Sequence, residues 1–306
     1  MVRPVRLRHV VCSFPNPDGL YRNSNMPTRG AQRKPEESWW IVYAGASGYD
    51  VAVHLQGLLV DLDGTLYVAD EPVAGAREAI ESLQASGLAL RYVTNTTRKP
   101  RREVSEHLRS LGFRVEEAEI FTPARAASGL IGDRSCFPLV DESLLEDLRD
   151  VTLDDAHPDY VLVGDLGEDF TYVRLNAAFR HLAGGAELLA LQKNRYWRTQ
   201  GGLSLDAGPF VAALEYASGK SATVVGKPER DFFRLALEDM GLQPHEAAMV
   251  GDDAEADVAG AQAAGVQGIL VKTGKYHPEA EGEPDLLLDS VAGLPEALGS
   301  EASSIT

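Results

Sequence analysis

The chain has 306 residues, enough for a full-sized core and a second, smaller domain. Its 29 Lys and Arg against 46 Asp and Glu leave a formal charge of −17, which argues against broad affinity for nucleic acid or anionic membrane and favours small-molecule chemistry. No apolar run is long enough for a transmembrane helix, and Cys12 and Cys136 form neither a zinc spacing nor a disulfide framework, so a reducing, cytoplasmic setting is the simplest expectation.

In chain order, residues 1–52 come first and differ in character from the rest. Seven basic residues (Arg3, Arg6, Arg8, Arg22, Arg29, Arg33, Lys34) outnumber three acidic ones within the first 40. The stretch 10–14 is too short for a secretory signal. The segment is expected to be a disordered extension rather than an Arg-rich targeting segment, because it lacks sustained periodicity. No Met lies between Met26 and Met240, and Val51 or Val53 would be a natural beginning just before the first core strand.

From residue 53 onward, short apolar strands alternate with amphipathic helices, which predicts an α/β class with a parallel, Rossmann-like sheet. The first strand is 57–62. A helix over 73–86 follows, with Ala76, Ala79, Ile80 and Leu83 on one face and Gly87 closing it. Strand 88–93 precedes a helix opened by Pro100 and ended by Gly112. The middle of the chain carries its own cycle: strand 137–140, helix 142–148, strand 160–163, helix 172–182, then short strands at 188–191 and 203–205. That implies an inserted α/β cap over 128–205, with the catalytic core expected at 53–127 and 206–299. The first pattern then resumes with helix 208–217, strand 222–225, helix 231–240, strand 247–250, helix 256–264, strands 268–271 and 286–288, and a last helix capped by Ser290.

Four of the expected strand ends carry polar groups. Asp61-Leu62-Asp63-Gly64-Thr65 places two carboxylates at i and i+2, on one side of an extended chain, where they repel and call for a cation such as Mg²⁺. Thr94-Asn95-Thr96-Thr97 offers a hydroxyl and backbone N–H groups to phosphate oxygens. Gly226-Lys227-Pro228 supplies a point charge. Gly251-Asp252-Asp253, with Asp257 one turn later, suits an oxygen-ligated metal. Taken singly each has a plainer reading: a hydrogen-bonding turn, a helix cap, a solvated lysine, a helix N-terminus favoured by the dipole. Surface turns have no reason to place all four at successive strand ends, where open parallel sheets bind ligands.

The set Asp61-x-Asp63-Gly64-Thr65, Thr94-Asn95, Gly226-Lys227-Pro228 and Gly251-Asp252-Asp253-x-x-x-Asp257 closely resembles the haloacid dehalogenase superfamily of phosphohydrolases. With the insertion between the threonine and lysine motifs, it resembles the subclass with the second type of α/β cap. The segments 93–97, 222–229, 249–253 and 268–275 are similar to the branch that holds the domain-containing-protein-2 hydrolases and the phospholysine phosphohistidine inorganic pyrophosphate phosphatases. Some members of that branch carry Ser where this chain has Asp63. The resemblance spans about 53–298.

The resemblance implies a Mg²⁺-dependent phosphatase of small phosphorylated metabolites. In it, Asp61 would be the nucleophile that forms an aspartyl-phosphate, and Asp63 the general acid and base. Mg²⁺ would be held by Asp61, the main-chain carbonyl of Asp63 and Asp252, with Asp253 and Asp257 orienting that shell. Thr94, the N–H of Asn95 and Lys227 would bind phosphoryl oxygens. Selectivity is expected from the cap, with Asp165, Tyr172, Gln192, Lys193, Arg195 and Tyr196 as candidates. The expected partner is a small phosphorylated substrate, not nucleic acid or a membrane, and the resemblance allows a homodimer. A phosphotransferase or mutase using the same intermediate is the competing enzymatic reading. A receiver-type phospho-signalling module is the competing non-enzymatic one, although such a module has no cap. A metal-free dehalogenase would leave Asp63 and the Asp252 cluster without a purpose.

Overall fold

Leu58, Leu59 and Val60 are apolar on both sides of the pleat, and the strand they form, Gly57–Asp61, is buried along its whole length. Such a strand belongs inside a parallel sheet covered on both faces. In the computed structural model, which describes residues 39–44, 50–199, 202–279 and 282–299, it is a central strand of a six-stranded sheet. Across the sheet run Leu286–Leu288, Gln267–Val271, Ala247–Gly251, Gly57–Asp61, Ala89–Val93 and Ile120–Phe121, every neighbouring pair parallel. Counted in chain order within this sheet, the strands read 6-5-4-1-2-3, so the winding reverses between Gly57–Asp61 and Ala247–Gly251. A ligand crevice is expected outside the carboxyl ends of those two strands.

Side-chain alternation along the central strand divides the core. Leu58 and Val60 pack with Ile80 and Leu83 of helix Ala76–Ala85, Val104 and Leu108 of helix Arg101–Ser110, and Val291 and Leu294 near the end of the described chain. Leu59 faces the other way, toward Ala124 and Ala127 of helix Pro123–Ile131 and Phe232, Phe233 and Leu237 of helix Arg230–Met240. The helix at 123–131 was not anticipated. Its signal was present in Thr122-Pro123, where Thr122 accepts from the Arg125 N–H and Pro occupies the first turn.

A second, five-stranded parallel sheet contains Thr223–Val224, Glu187–Ala190, Tyr160–Val163, Ser135–Leu139 and Thr152–Leu153, in that order. Here too alternation sorts the faces. Tyr160 and Leu162 join the cluster that holds Leu59 and Phe121, whereas Val161 and Val163 pack with Ala178, Leu182, Val211 and Leu214 of helices Tyr172–Ala183 and Ala207–Ser218. The two sheets therefore share one apolar cluster.

Three expectations are corrected. The strand expected at 222–225 as a return to the first sheet is Thr223–Val224, and it pairs with Leu189 and Ala190 of the second sheet. A two-residue strand carries no pattern that names its neighbour. The helix expected at 256–264 begins earlier as a wide turn over Ala254–Ala259, with the Val258 N–H reaching back to the Asp253 carbonyl, and becomes α-helical at Gly260–Ala263. The helix expected at 142–148 is a 3₁₀ segment, Glu142–Leu148.

Strands Trp39–Ala44 and Asp50–Leu55 form an antiparallel pair that runs across residue 52, the expected end of the N-terminal extension. Residues 1–38 lie outside the described residues. Among the described residues no helix is long and apolar enough to cross a membrane.

Candidate active site

Strand Gly57–Asp61 ends at Asp61, and the chain turns at once: the N–H groups of Thr65 and Leu66 both donate to the Leu62 carbonyl, and that of Gly64 to the Tyr67 carbonyl. Gly64 has φ +92°, and a Cβ there would stand 2.1 Å from Oδ2 of Asp252. Glycine is thus required twice over, by backbone sign and by the closeness of a carboxylate 188 positions away in the chain. Asp252 follows the neighbouring strand Ala247–Gly251. Its Oδ2 accepts the Lys275 N–H at 2.6 Å, and a Cβ on Gly274 (φ +57°) would also lie 2.1 Å from that oxygen. The Thr273 hydroxyl donates to the Gly64 carbonyl at 2.5 Å, tying the loop after Gln267–Val271 to the first turn.

Asp257 reaches the same place through local geometry. Asp253 caps the turn, accepting from the N–H groups of Glu255 and Ala256 at 3.1 and 2.9 Å. One turn later the Asp257 carboxylate folds back against Gly251, where a Cβ would be 2.2 Å from its Oδ2. One carboxylate oxygen each from Asp61, Asp252 and Asp257 lie within 4.8 Å of one another, all on buried residues.

Lys227 is buried and bridges two of these acids: its Nζ donates to Oδ1 of Asp257 at 2.6 Å and also to Oδ1 of Asp61. Burial raises the pKa of Asp61 despite the neighbouring ammonium, and it raises that of Asp257 with the Asp61 charge adding to it. Burial also raises that of Asp252, against the Lys275 N–H. For Lys227, desolvation opposes the charge, but Asp257 and Asp61 outweigh it and the ammonium is held more tightly than usual. With all three carboxylates ionised, the one buried ammonium would leave two negative charges. A single divalent cation would balance them, and an all-oxygen donor set fits hard Mg²⁺.

The expected residues converge. Asp61, Asp63, Thr94, Asn95, Lys227, Asp253 and Asp257 line one cavity of about 590 Å³; Asp252 is buried and does not line it. Asp63 is exposed, and its carboxylate does not belong to the buried cluster. The Thr94 hydroxyl accepts the Thr96 N–H at 3.2 Å. The Asn95 side chain is engaged with the Lys227 main chain at 2.8 Å in both directions.

Of the cap candidates, Asp165 and Gln192 reach the cavity and the others do not line it. Lys193 pairs with Glu215 at 2.7 Å, Tyr172 is 80 % exposed and Tyr196 56 %. Asn194 and Asp206 take those places: Asp206 accepts from Gln192 and from the Ala207 N–H, and Gln192 accepts from the Asn194 N–H at 2.5 Å. Tyr67, Arg98, Lys99, His107 and Lys275 also line the wall and were not anticipated. Position was the available signal for two groups of these. Arg98 and Lys99 continue the Thr94 segment, and Lys275 follows a strand of the same sheet. Arg98 also joins the two sheets' loops through Asp165, at 3.0 Å.

Several known proteins are similar to this chain. The family described as haloacid dehalogenase-like hydrolase matches residues 58–154, and a second, described as HAD hydrolase-like, matches 224–294. Haloacid dehalogenase-like hydrolase domain-containing protein 2 of Bos taurus is 47 % identical over 229 residues, 74 % of this chain and 88 % of that protein. Phospholysine phosphohistidine inorganic pyrophosphate phosphatase of Danio rerio is 40 % identical over 255 residues, covering 81 % and 94 %. Among solved structures, p-nitrophenyl phosphatase from Archaeoglobus fulgidus superposes with a TM-score of 0.74 at 28 % identity, over 80 % of this chain and 99 % of that one. The 4-nitrophenylphosphatase of Thermotoga maritima gives 0.73 at 27 %, over 80 % and 98 %.

Proposed function

The chain belongs to the haloacid dehalogenase-like hydrolase family, as a phosphoric monoester hydrolase, and we propose that it is a Mg²⁺-dependent phosphatase of small phosphorylated metabolites that works through an aspartyl-phosphate. The observation that carries this reading is the cluster of Asp61, Asp252, Asp257 and Lys227 at the point where the sheet reverses its winding, open to a cavity of metabolite size.

Asp61 attacks phosphorus, and as the Asp61–phosphorus bond forms the bond to the leaving oxygen breaks. Asp63, exposed at the cavity wall, gives its proton to that oxygen. It then takes a proton from the water that attacks the aspartyl-phosphate, releasing inorganic phosphate and restoring Asp61. Thr94, the Asn95 N–H and Lys227 hold the phosphoryl oxygens. Mg²⁺ would be held by Asp61, the Asp63 carbonyl and Asp252, oriented by Asp253 and Asp257. Bound there, it would supply neutralisation of charge on the transferring group. Asp165, Gln192 and Asn194 of the cap, with Asp206 beside them, face the leaving group and shield it from water.

Phosphate release from p-nitrophenyl phosphate, with and without Mg²⁺, tests the reading. Asp61→Asn is expected to abolish turnover and leave the fold intact by circular dichroism, and residual Mg²⁺-dependent activity near wild type would overturn the nucleophile assignment. A substrate screen would start from phospholysine, phosphohistidine and pyrophosphate, which name one relative, beside sugar phosphates and nucleoside monophosphates.

A further inference from the structure

Lys227 enters the site from an unexpected direction. The strand that precedes it, Thr223–Val224, is the edge of the second sheet, and the Val225 N–H still donates to the Ala190 carbonyl at 2.9 Å. Two residues later the ammonium lies between Asp61 and Asp257, both delivered by the first sheet. The crossing is made at Gly226, where a Cβ would stand 2.5 Å from the Leu191 carbonyl oxygen and 2.9 Å from Oδ1 of Asn95. On its upstream side, then, the lysine is tied to the second sheet.

On the core side one side chain clasps its main chain. Nδ2 of Asn95 donates to the Lys227 carbonyl and Oδ1 of Asn95 accepts the Lys227 N–H, each at 2.8 Å. Asn95 stands two residues beyond Val93, the end of a core strand that pairs with Gly57–Asp61. A side-chain amide both donates and accepts, so it can close this two-bond ring with a peptide unit; a carboxylate could make only one of the two bonds.

We propose that Asn95 is a positioning residue: its side chain fastens the Lys227 main chain to the first sheet, keeping the ammonium between Asp61 and Asp257 independently of strand Thr223–Val224, and it acts on the reaction only through Lys227. The proposal rests on the reading of Lys227 as a ligand of the phosphoryl group. The expected main-chain contact of Asn95 with phosphate is a separate matter, since substitution of the side chain leaves that N–H in place.

The test is a double-mutant cycle on kcat/KM for p-nitrophenyl phosphate at saturating Mg²⁺, with inhibition by inorganic phosphate as a second readout and thermal melting as the control for folding. Asn95→Ala is expected to lower kcat/KM by about 10- to 100-fold, the scale set by small misplacements of catalytic groups. In the Lys227→Met background the same substitution is expected to cost less than about threefold. Phosphate inhibition should weaken with Asn95→Ala in the wild type and not in Lys227→Met. Asn95→Asp, which keeps one of the two bonds, should fall between wild type and Asn95→Ala, and it replaces Asn95→Ala in the cycle if that variant does not fold. An equal loss in both backgrounds, or no loss in the wild type, overturns the proposal while leaving the role of Lys227 standing. Full activity in Lys227→Met overturns the reading of the lysine itself, and the proposal with it.

Discussion

At the scale of single residues, the site is built by close approach. Gly64 and Gly274 both lie against Oδ2 of Asp252 in conformations with positive φ, so neither position has room for a methyl group. Gly64→Ala should lower kcat/KM by at least ~100-fold through displacement of Asp252, and destabilise the protein by about 1–3 kcal/mol. Activity within a few-fold of wild type would contradict the geometry. The uncompensated charge among Asp61, Asp252, Asp257 and Lys227 makes a second expectation. Mg²⁺ at 100 times its Kd should stabilise the fold by about 2.7 kcal/mol, read as a rise in Tm. That rise should vanish in Asp252→Asn, and its persistence would place the metal elsewhere. The types of these residues were legible from their order along the chain. That Gly64 serves Asp252 was not, because the contact joins loops that only the sheet brings together.

At the scale of elements, helix Arg101–Ser110 shows how one sheet's connections depend on the other's. Its N-cap residue is Pro100, which has no side chain able to cap it. The first N–H is met instead by Asp147, at the end of the 3₁₀ segment Glu142–Leu148, and Arg101 Nε bonds the other oxygen of the same carboxylate at 3.1 Å. The Asp147 side chain is 1 % exposed, and burial raises its pKa against the pull of Arg101. Arg101→Met would leave that carboxylate buried without its counter-charge, at a cost on the order of 3 kcal/mol near neutral pH. The sign of the pH dependence follows. A folded-state pKa above the unfolded value means the folded form binds the proton more tightly, so lowering the pH toward the ordinary carboxylate range stabilises it. The gap in Tm between wild type and variant should therefore narrow from pH 7 to pH 5. A constant or widening gap would show that the Asp147 charge is not what the arginine offsets.

At the scale of the whole molecule, the two sheets share a hydrophobic interior. Cys136, Leu162, Leu189 and Val225 belong to the same cluster as Leu59, Val93 and Phe121. Excising residues 134–224 and closing the chain with a short linker would bare that face, and the product is expected to aggregate or to lose its cooperative melt. A soluble, cooperatively folding remnant would show that the core seals itself. The same continuity bears on catalysis, since the loop with Lys227 leaves the edge of the second sheet and Arg98, in a loop of the first, pairs with Asp165, in a loop of the second. Movement of one sheet relative to the other would change the cavity wall on both sides.

The amino-acid sequence by itself determined the alternation of strands and helices, the parallel sheet and the acids and threonine at its edge, because periodicity and strand-end chemistry are local properties. The tertiary structure alone decided which sheet receives Thr223–Val224, that Asn95 and Asp147 serve groups 132 and 46 residues away, and that Asn194 and Asp206 rather than Lys193 or Tyr196 face the cavity. A strand of two residues or a single polar side chain carries no record of its partner. The paired carboxylates Asp61 and Asp63 show both sides of that division: their spacing raised the expectation of a cation, but only the fold separated a buried Asp61 bonded to Lys227 from an exposed Asp63 at the cavity wall.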